Sequence, residues 1–390
     1  MISFTYHNPT IIYFGQPQFT QLGDELKKHG RRVLLTYGMG SIKSTGLYDR
    51  VLEQIRKAEL ELFELPGIEA NPDIETVRKG IALCKKEKIE VLLAVGGAST
   101  IDATKIIGAG AAYDGDAWDL VTKKTDITEC LPIITVLTLA AAGSEMNGVA
   151  VISNAATQEK RSISNPLMRP RASFLDPALT ITVSPYQTAC GVADIIAHIM
   201  ENYFHGPVDI EMLETVMEGF IRDVIRFGTQ AIKNPSDLAA RTNLMWISTW
   251  AQNAFIRGAK NPTWSIHAIE HELTAFYGIA HGHGLAILIP RWMEYVLDAQ
   301  NAPRFRQFAC NVFGLEHNPD AIALAKKGIE LLSAFFFRTL GLKSTLTDLG
   351  IDRTHFAQMA KNVSDRSKSG TAGFRRLSQQ DIEQIYLMCL

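Results

Sequence analysis

Along the first half of the chain, short continuous apolar runs alternate with stretches whose apolar positions recur at helical spacing. Arg32-Val-Leu-Leu-Thr-Tyr37 reads as a buried strand ending in the turn Gly38-Met39-Gly40-Ser41, and a helix follows through about Lys57. Residues 60–65 alternate as a strand does and stop at Pro66-Gly67, and Asn71-Pro72-Asp73 opens a helix reaching about Glu87. Residues 89–95, ending in Gly96-Gly97, and residues 133–138 are the next strands. Strands alternating with helices imply parallel pairing, so residues 1–182 are expected to form an α/β, Rossmann-like open sheet, with ligands at the carboxyl ends of its strands.

Near Asp176-Pro177 and Ser184-Pro185 this alternation stops. The later patterns are helical, over residues 186–203, 210–232, 238–257, 262–276 and 321–340, with Pro and Gly in loops such as Phe204-His205-Gly206-Pro207 and Asn261-Pro262. Residues 183–390 are therefore expected to be an all-helical second domain, separated from the first by a cleft. A length of 390 residues agrees, because it exceeds what one core usually serves.

Composition narrows the partners more than the fold. With 46% hydrophobic and 21% charged residues and a net charge of −2, the chain has no electrostatic footprint for nucleic acid or an anionic membrane. A small molecule is the expected partner. The start, Met1-Ile-Ser-Phe-Thr-Tyr-His-Asn-Pro, lacks the pattern of a signal peptide, and no apolar run has the length of a membrane span, so a cytoplasmic location is expected. Five dispersed cysteines, Cys84, Cys130, Cys190, Cys310 and Cys389, form no C-x-x-C pair and are read as reduced thiols.

Candidate chemistry gathers in the middle third. Asp194 and His198 are four apart, so on a helix they share a face; His267 and His271 repeat the spacing, and His281 follows in a glycine-flanked segment expected to turn a third imidazole toward the others. Six of the ten histidines (His198, His205, His267, His271, His281, His283) fall between residues 198 and 283. A carboxylate with several imidazoles suits one divalent ion, iron(II) or zinc, whereas calcium would want oxygens throughout. His267-Ala-Ile-Glu270-His271 also matches the H-x-x-E-H signature of inverted zinc peptidases, with Glu270 as general base, but that reading leaves Asp194, His198 and the glycine turns without a role. Trp264, Phe255 and Phe276 are near these segments and are candidates for an apolar substrate wall.

Three small-residue turns are candidates for a nucleotide. In Gly96-Gly97-Ala98-Ser99-x-x-Asp102 the glycines admit a phosphate to the backbone, Ser99 with Asp102 has the spacing of a capping box, and the helix N-terminus suits a pyrophosphate. Gly38-Met39-Gly40-Ser41 places no acidic side chain where a carboxylate would repel a 2′-phosphate, and Lys43 is nearby, so NADP is expected over NAD. Thr138-Leu139 running to Ala142-Gly143-Ser144-Glu145 is expected to wall the nicotinamide half.

Taken together, Gly96-Gly97-Ala98-Ser99-x-x-Asp102-x-x-Lys105, Thr138 through Glu145, Asp194-x-x-x-His198, and His267-x-x-x-His271 followed by His281-Gly282 resemble the iron-containing (group III) alcohol dehydrogenases. Within that family the Tyr37-Gly38-x-Gly40-Ser41 turn is most similar to the NADP(H)-dependent butanol dehydrogenases and aldehyde reductases. The resemblance implies a dehydroquinate synthase-like fold, a homodimer, and turnover of short- to medium-chain primary alcohols and aldehydes; a glycerol-type polyol dehydrogenase and a dehydroquinate synthase-like lyase share the architecture. It implies metal ligands Asp194, His198, His267 and His281, with His271 beside the nicotinamide as the catalytic proton relay. It further implies cofactor contacts at Gly38, Ser41, Asn71, Gly97, Ala98, Ser99, Thr138, Leu139, Lys160 and Leu179, to which the turns add Gly40, Gly96 and Asp102. Three positions depart from the family pattern: Ala98 and Met39 where glycine is common, and Ala142 where a hydroxyl residue is usual.

Overall fold

The computed structural model describes residues 3–206, 210–260, 262, 264–366 and 375–390. The chain divides into two compact units, His7–Val183 and Ser184–Leu390, the latter joined by the residues up to Tyr6.

The first unit is built on β1 (Ile11–Phe14), β2 (Arg32–Tyr37), β3 (Glu61–Leu65), β4 (Val91–Gly96), β5 (Ile133–Leu137), the hairpin strands β6 (Val149–Asn154) and β7 (Glu159–Ser164), and β8 (Ala172–Leu175). Six of these form one sheet in the order β1-β8-β5-β4-β2-β3, every pair parallel. Both faces are covered, which is why its central strands read as unbroken apolar runs. Val33 and Leu35 of β2 pack into one layer with Leu26, Val51 and Ile55, while Leu34 joins Val77, Ile106 and Ile107 in the other. Asp73 caps the Ile74–Glu87 helix by accepting from Glu75 N at 2.9 Å, a bond of a kind worth about 1 kcal/mol.

The second unit is helical around Pro185–Tyr203, whose residues from Thr188 onward are all buried. Ser184 caps it and Pro185 occupies its first turn. It packs against Glu211–Lys233, Leu238–Ala251, Ser265–Tyr277 and His281–Val296. The expected helix 238–257 is broken at Gln252, where Asn253 restarts a short turn, Ala254–Arg257, by accepting from Phe255 N. The expected helix 321–340 is regular over Ala321–Ala334 and continues as a π-helical turn over Phe335–Thr339. The helix expected from Pro262 begins at Ser265; Thr263 of that expected helix, and Asn261 and Pro207 of the expected loops, lie outside the described residues. Among the described residues no helix is long and apolar enough to cross a membrane.

His281, expected in a glycine-flanked segment that turns its imidazole toward the others, is the first residue of the His281–Val296 helix. The glycines serve close packing instead. A Cβ on Gly282 would stand 2.0 Å from the Cys190 carbonyl oxygen, so only glycine lets this helix rest on the backbone one turn before Asp194.

Candidate active site

Three helices of the second unit supply the site. Asp194 and His198 are one turn apart on Pro185–Tyr203, His267 is in the first turn of Ser265–Tyr277, and His281 starts the next helix. Ligand atoms of Asp194, His267 and His281 all lie within 4.8 Å of one another. His198 flanks them: its ring centroid is 4.5 Å from that of His267, and its Nδ1 is 3.1 Å from Asp194 Oδ1 and 2.9 Å from the Asp194 carbonyl oxygen. With Nδ1 donating to that carbonyl, Nε2 is the nitrogen left for another partner.

Whether these residues fit a metal ion can be judged from their unused atoms. Asp194 Oδ1 and His267 Nε2 are buried without a hydrogen-bond partner, an arrangement that normally costs about 1–3 kcal/mol per group and is retained where a ligand satisfies it. One carboxylate and imidazole nitrogens form a borderline donor set, so the site fits iron(II) or zinc. Burial pushes the Asp194 carboxyl up, but the imidazoles of His198, His267 and His281 outweigh this and hold it well below the usual carboxylate range. For His267 burial pushes down, and Asp194 and Glu201 together raise it to about 9.

Two further carboxylates, neither expected as part of the metal site, hold the imidazoles from behind. Glu201 Oε1 accepts from Ile266 N at 2.7 Å and His267 N at 3.0 Å and lies 3.3 Å from His267 Nδ1. The signal for it was available, because Glu201 follows Asp194 by seven residues, two turns along the same helix face. Glu270 holds His281 Nδ1 with one oxygen and accepts from Thr274 Oγ1 at 2.6 Å with the other.

This corrects the H-x-x-E-H alternative. The imidazole that joins His267 at Asp194 is His281, and Glu270 is fully buried with both oxygens engaged, so it cannot be a general base open to water. His271 is half-buried one turn beyond His267, its ring centroid 5.5 Å from that of His281. His283 donates and accepts elsewhere, bonded to Tyr186 Oη at 3.1 Å and the Lys343 carbonyl at 3.0 Å.

Of the three aromatics considered, only Trp264 stands at the site, its ring edge-on to His198 at 5.9 Å and His267 at 5.4 Å. Its backbone is in the left-handed region, φ 53°, a conformation that costs a non-glycine residue about 1 kcal/mol or more. Phe255 packs on Trp250, and Phe276 on His355.

In the first unit, considered by itself, the nucleotide candidates sit at carboxyl ends of neighbouring strands. The Ala98–Ala111 helix starts straight after β4, and Thr138, just past β5, bonds the Gly96 carbonyl at 3.0 Å. A Cβ on Gly96 would meet Thr100 Oγ1 at 2.4 Å, so glycine is required for this tight entry. The capping box expected from Ser99 and Asp102 does not form. The N-cap is Gly97 without a side-chain bond, Ser99 donates to the Ala70 carbonyl, and Asp102 accepts from Ser144 Oγ and Val151 N. Lys160 is not on the surface as an isolated lysine reads: it is 5% exposed and donates to Asn71 Oδ1 at 3.4 Å. At the end of β2, Gly40 takes φ 115° and caps the Ser41–Ser44 turn, with Met39 exposed. Beside it Lys43 lies over the Tyr37 and Tyr48 rings, and both tyrosine hydroxyls donate to Glu64 at 2.8 Å. Leu179 is half-buried against the core layer that contains Phe174.

Comparison with known proteins identifies the pattern. The iron-containing alcohol dehydrogenase family model matches residues 9–177, and the C-terminal model of the Fe-containing alcohol dehydrogenase family matches residues 188–390. The chain is 42% identical over 387 residues to NADH-dependent butanol dehydrogenase A of Clostridium acetobutylicum, covering 99% of each chain. It is 35% identical to the NADPH-dependent aldehyde reductase YqhD of Escherichia coli, covering 94% of each. The crystal structure of NADH-dependent butanol dehydrogenase A from Thermotoga maritima superposes with a TM-score of 0.95 at 37% identity, over 100% of this chain and 99% of that one. The α/β sheet, the helical unit and the clustered carboxylate and imidazoles are thus those of a member of the iron-containing alcohol dehydrogenase family, to which this chain belongs.

Proposed function

We propose that the chain is a metal-dependent, NADP(H)-linked alcohol dehydrogenase and aldehyde reductase for short- to medium-chain primary alcohols and aldehydes, working as a homodimer. The observation that carries this reading is the buried pair of unused donor atoms, Asp194 Oδ1 and His267 Nε2, with His281 beside them in a chain of this family. A bound divalent ion supplies Lewis acidity toward a carbonyl oxygen, and the nicotinamide supplies or takes up hydride.

In this reading Asp194, His198, His267 and His281 hold the ion. His271, half-buried one turn beyond His267, moves a proton between the reacting oxygen and water. Trp264 offers an apolar edge for the alkyl group. The uncapped N-terminus of Ala98–Ala111, with Gly97, Ala98 and Ser99, takes the pyrophosphate; Thr138, Leu139 and Leu179 wall the cofactor, and Lys160 with Asn71 bonds its ribose.

The cofactor assignment rests on the turn after β2. The carboxylate beside that turn, on Glu64, accepts from Tyr37 and Tyr48, and Lys43 adds a cation over both rings, so Ser41, Lys43 and backbone N–H groups supply donors for a 2′-phosphate. The relatives' names divide on this point, NADH for the butanol dehydrogenases and NADPH for the aldehyde reductase.

The test is oxidation of NADPH and NADH with a panel of straight-chain aldehydes, polyol-derived carbonyls and sugar phosphates, on protein stripped of metal and reloaded separately with iron, zinc or manganese. Metal-dependent turnover of butanal-sized aldehydes with NADPH ahead of NADH is expected. Turnover confined to polyols, or undiminished in stripped protein, would overturn the reading.

A further inference from the structure

Glu270 is the one charged residue of the His267–His271 stretch that the proposed reaction does not use. Its side chain is fully buried: one oxygen holds His281 Nδ1 and the other accepts from Thr274 Oγ1 at 2.6 Å. Space for it is made deliberately by the facing helix. A Cβ on Gly284 would stand 2.8 Å from Glu270 Oε1 and 2.9 Å from its Cγ, so any larger residue there would displace the carboxylate.

His281 needs such a partner more than its neighbours do. Its side chain is 25% exposed against 4–8% for His198, His267 and Asp194, and it is the first residue of its helix, with no preceding helical turn to pack against. Its two nitrogens face opposite carboxylates: Nδ1 meets Glu270, and Nε2 points to Asp194, 3.9 Å from Oδ1. An ionised carboxylate only accepts hydrogen bonds, so the ring must carry its proton on Nδ1 and keep the Nε2 lone pair free.

We infer that Glu270 is a positioning residue of the metal centre, fixing the rotamer and tautomer of His281 so that Nε2 is presented to the ion. This rests on the proposed ligand set and extends it by one layer. Glutamine at 270 keeps the size but either turns an N–H group toward Nδ1, which favours the wrong tautomer, or turns it toward Thr274, whose Oγ1 is then left with only the Ile279 carbonyl at 3.3 Å as acceptor.

The experiment is a competition titration of metal-stripped, full-length protein with Zn²⁺ against a chromophoric chelator, repeated with Co²⁺ to read the visible spectrum of the bound ion. Loss of a carboxylate behind a ligating histidine typically costs about 10–100-fold in affinity, and Glu270→Gln is expected in that range with an altered Co²⁺ spectrum. His281→Ala is expected to lose at least as much, and the double variant Glu270→Gln/His281→Ala no more than His281→Ala alone, because Glu270 acts through that ring. Gly284→Ala, which displaces the carboxylate without altering it, should reproduce the Glu270→Gln defect, and serves if the charge change prevents folding. NADPH binding to each variant, read by fluorescence, reports that the fold persists. Wild-type affinity in Glu270→Gln, or losses that add in the double variant, would overturn the inference. Failure of wild-type protein to bind Zn²⁺ or Co²⁺ at all would instead overturn the ligand set beneath it.

Discussion

Asp194 Oδ1 and His267 Nε2 are 3.8 Å apart, both buried, and neither has a hydrogen-bond partner. They come from different helices, 73 residues apart in the chain, yet each helix end is held so that these atoms converge: Gly282 lets the third helix close on Cys190, and Glu201 secures the start of Ser265–Tyr277. Such a pair stabilises the fold only when something bridges it. Chelation should therefore lower the melting temperature. At an ion concentration a hundredfold above Kd the bound ion contributes about 2.7 kcal/mol, a difference that calorimetry with and without chelator resolves. Asp194→Ala should abolish this chelator-sensitive increment and bring turnover near background.

His271 is half-buried and clusters with Glu270 and His281, not with Asp194 and His267. His271→Ala should lower kcat by about 10²–10⁴-fold, the usual contribution of a general acid–base group, while metal content stays near one equivalent. Elemental analysis beside steady-state kinetics decides it; loss of the ion would make His271 a ligand.

In the proposed reading, the β2 turn sets the cofactor preference. Met39 is 83% exposed and Met39→Asp introduces a charge without backbone strain, unlike a change at Gly40 with its φ of 115°. A carboxylate beside the 2′-phosphate should reduce the kcat/KM ratio of NADPH to NADH by tenfold or more, since like charges at partly exposed sites repel by about 1–4 kcal/mol. An unchanged ratio places the 2′-phosphate elsewhere.

Lys105 is fully buried, bonding Ser144 Oγ at 2.7 Å, Asn147 Oδ1 at 3.1 Å and the Val149 carbonyl at 2.6 Å, with Asp102 3.9 Å away. Removing one partner of a buried pair costs about 3–5 kcal/mol, and Lys105→Met should destabilise the first unit by that order. Burial also lowers the Lys105 ammonium to about 8 from the ordinary 10.5, against the pull of Asp102 and Glu145. Between those pH values the unfolded chain binds the extra proton, so wild-type stability should rise relative to Lys105→Met as pH climbs from about 8 to 10.5, and fall back as pH drops through 8. Denaturant unfolding of both proteins at several pH values measures the difference.

What the residues disclosed in advance follows from how each element is stabilised. Strands β2, β4 and β5 are buried on both faces and announce themselves as apolar runs, and the edge strand β3 shows as an alternating one, whereas β1 and β8 are four residues long and β7 is mostly polar, so these did not stand out. Asp194 and His198 were legible because one helix turn joins them. His281 was legible as a residue but not as a helical one, because Gly282, Gly284 and Pro290 ordinarily signal a loop; here Gly282 and Gly284 relieve contacts with Cys190 and Glu270 that only three dimensions reveal. Ser99 and Asp102 failed as a capping box because tertiary partners, Ala70 and Ser144, claimed their side chains first.

The most direct measurement is X-ray absorption at the metal edge of iron-loaded protein, with stoichiometry determined on the same sample. One ion per chain is expected, with a first shell of imidazole nitrogens and a carboxylate oxygen, reduced by one imidazole in His281→Ala. A shell without imidazole scattering, or the same shell in His281→Ala as in the wild type, would contradict the account.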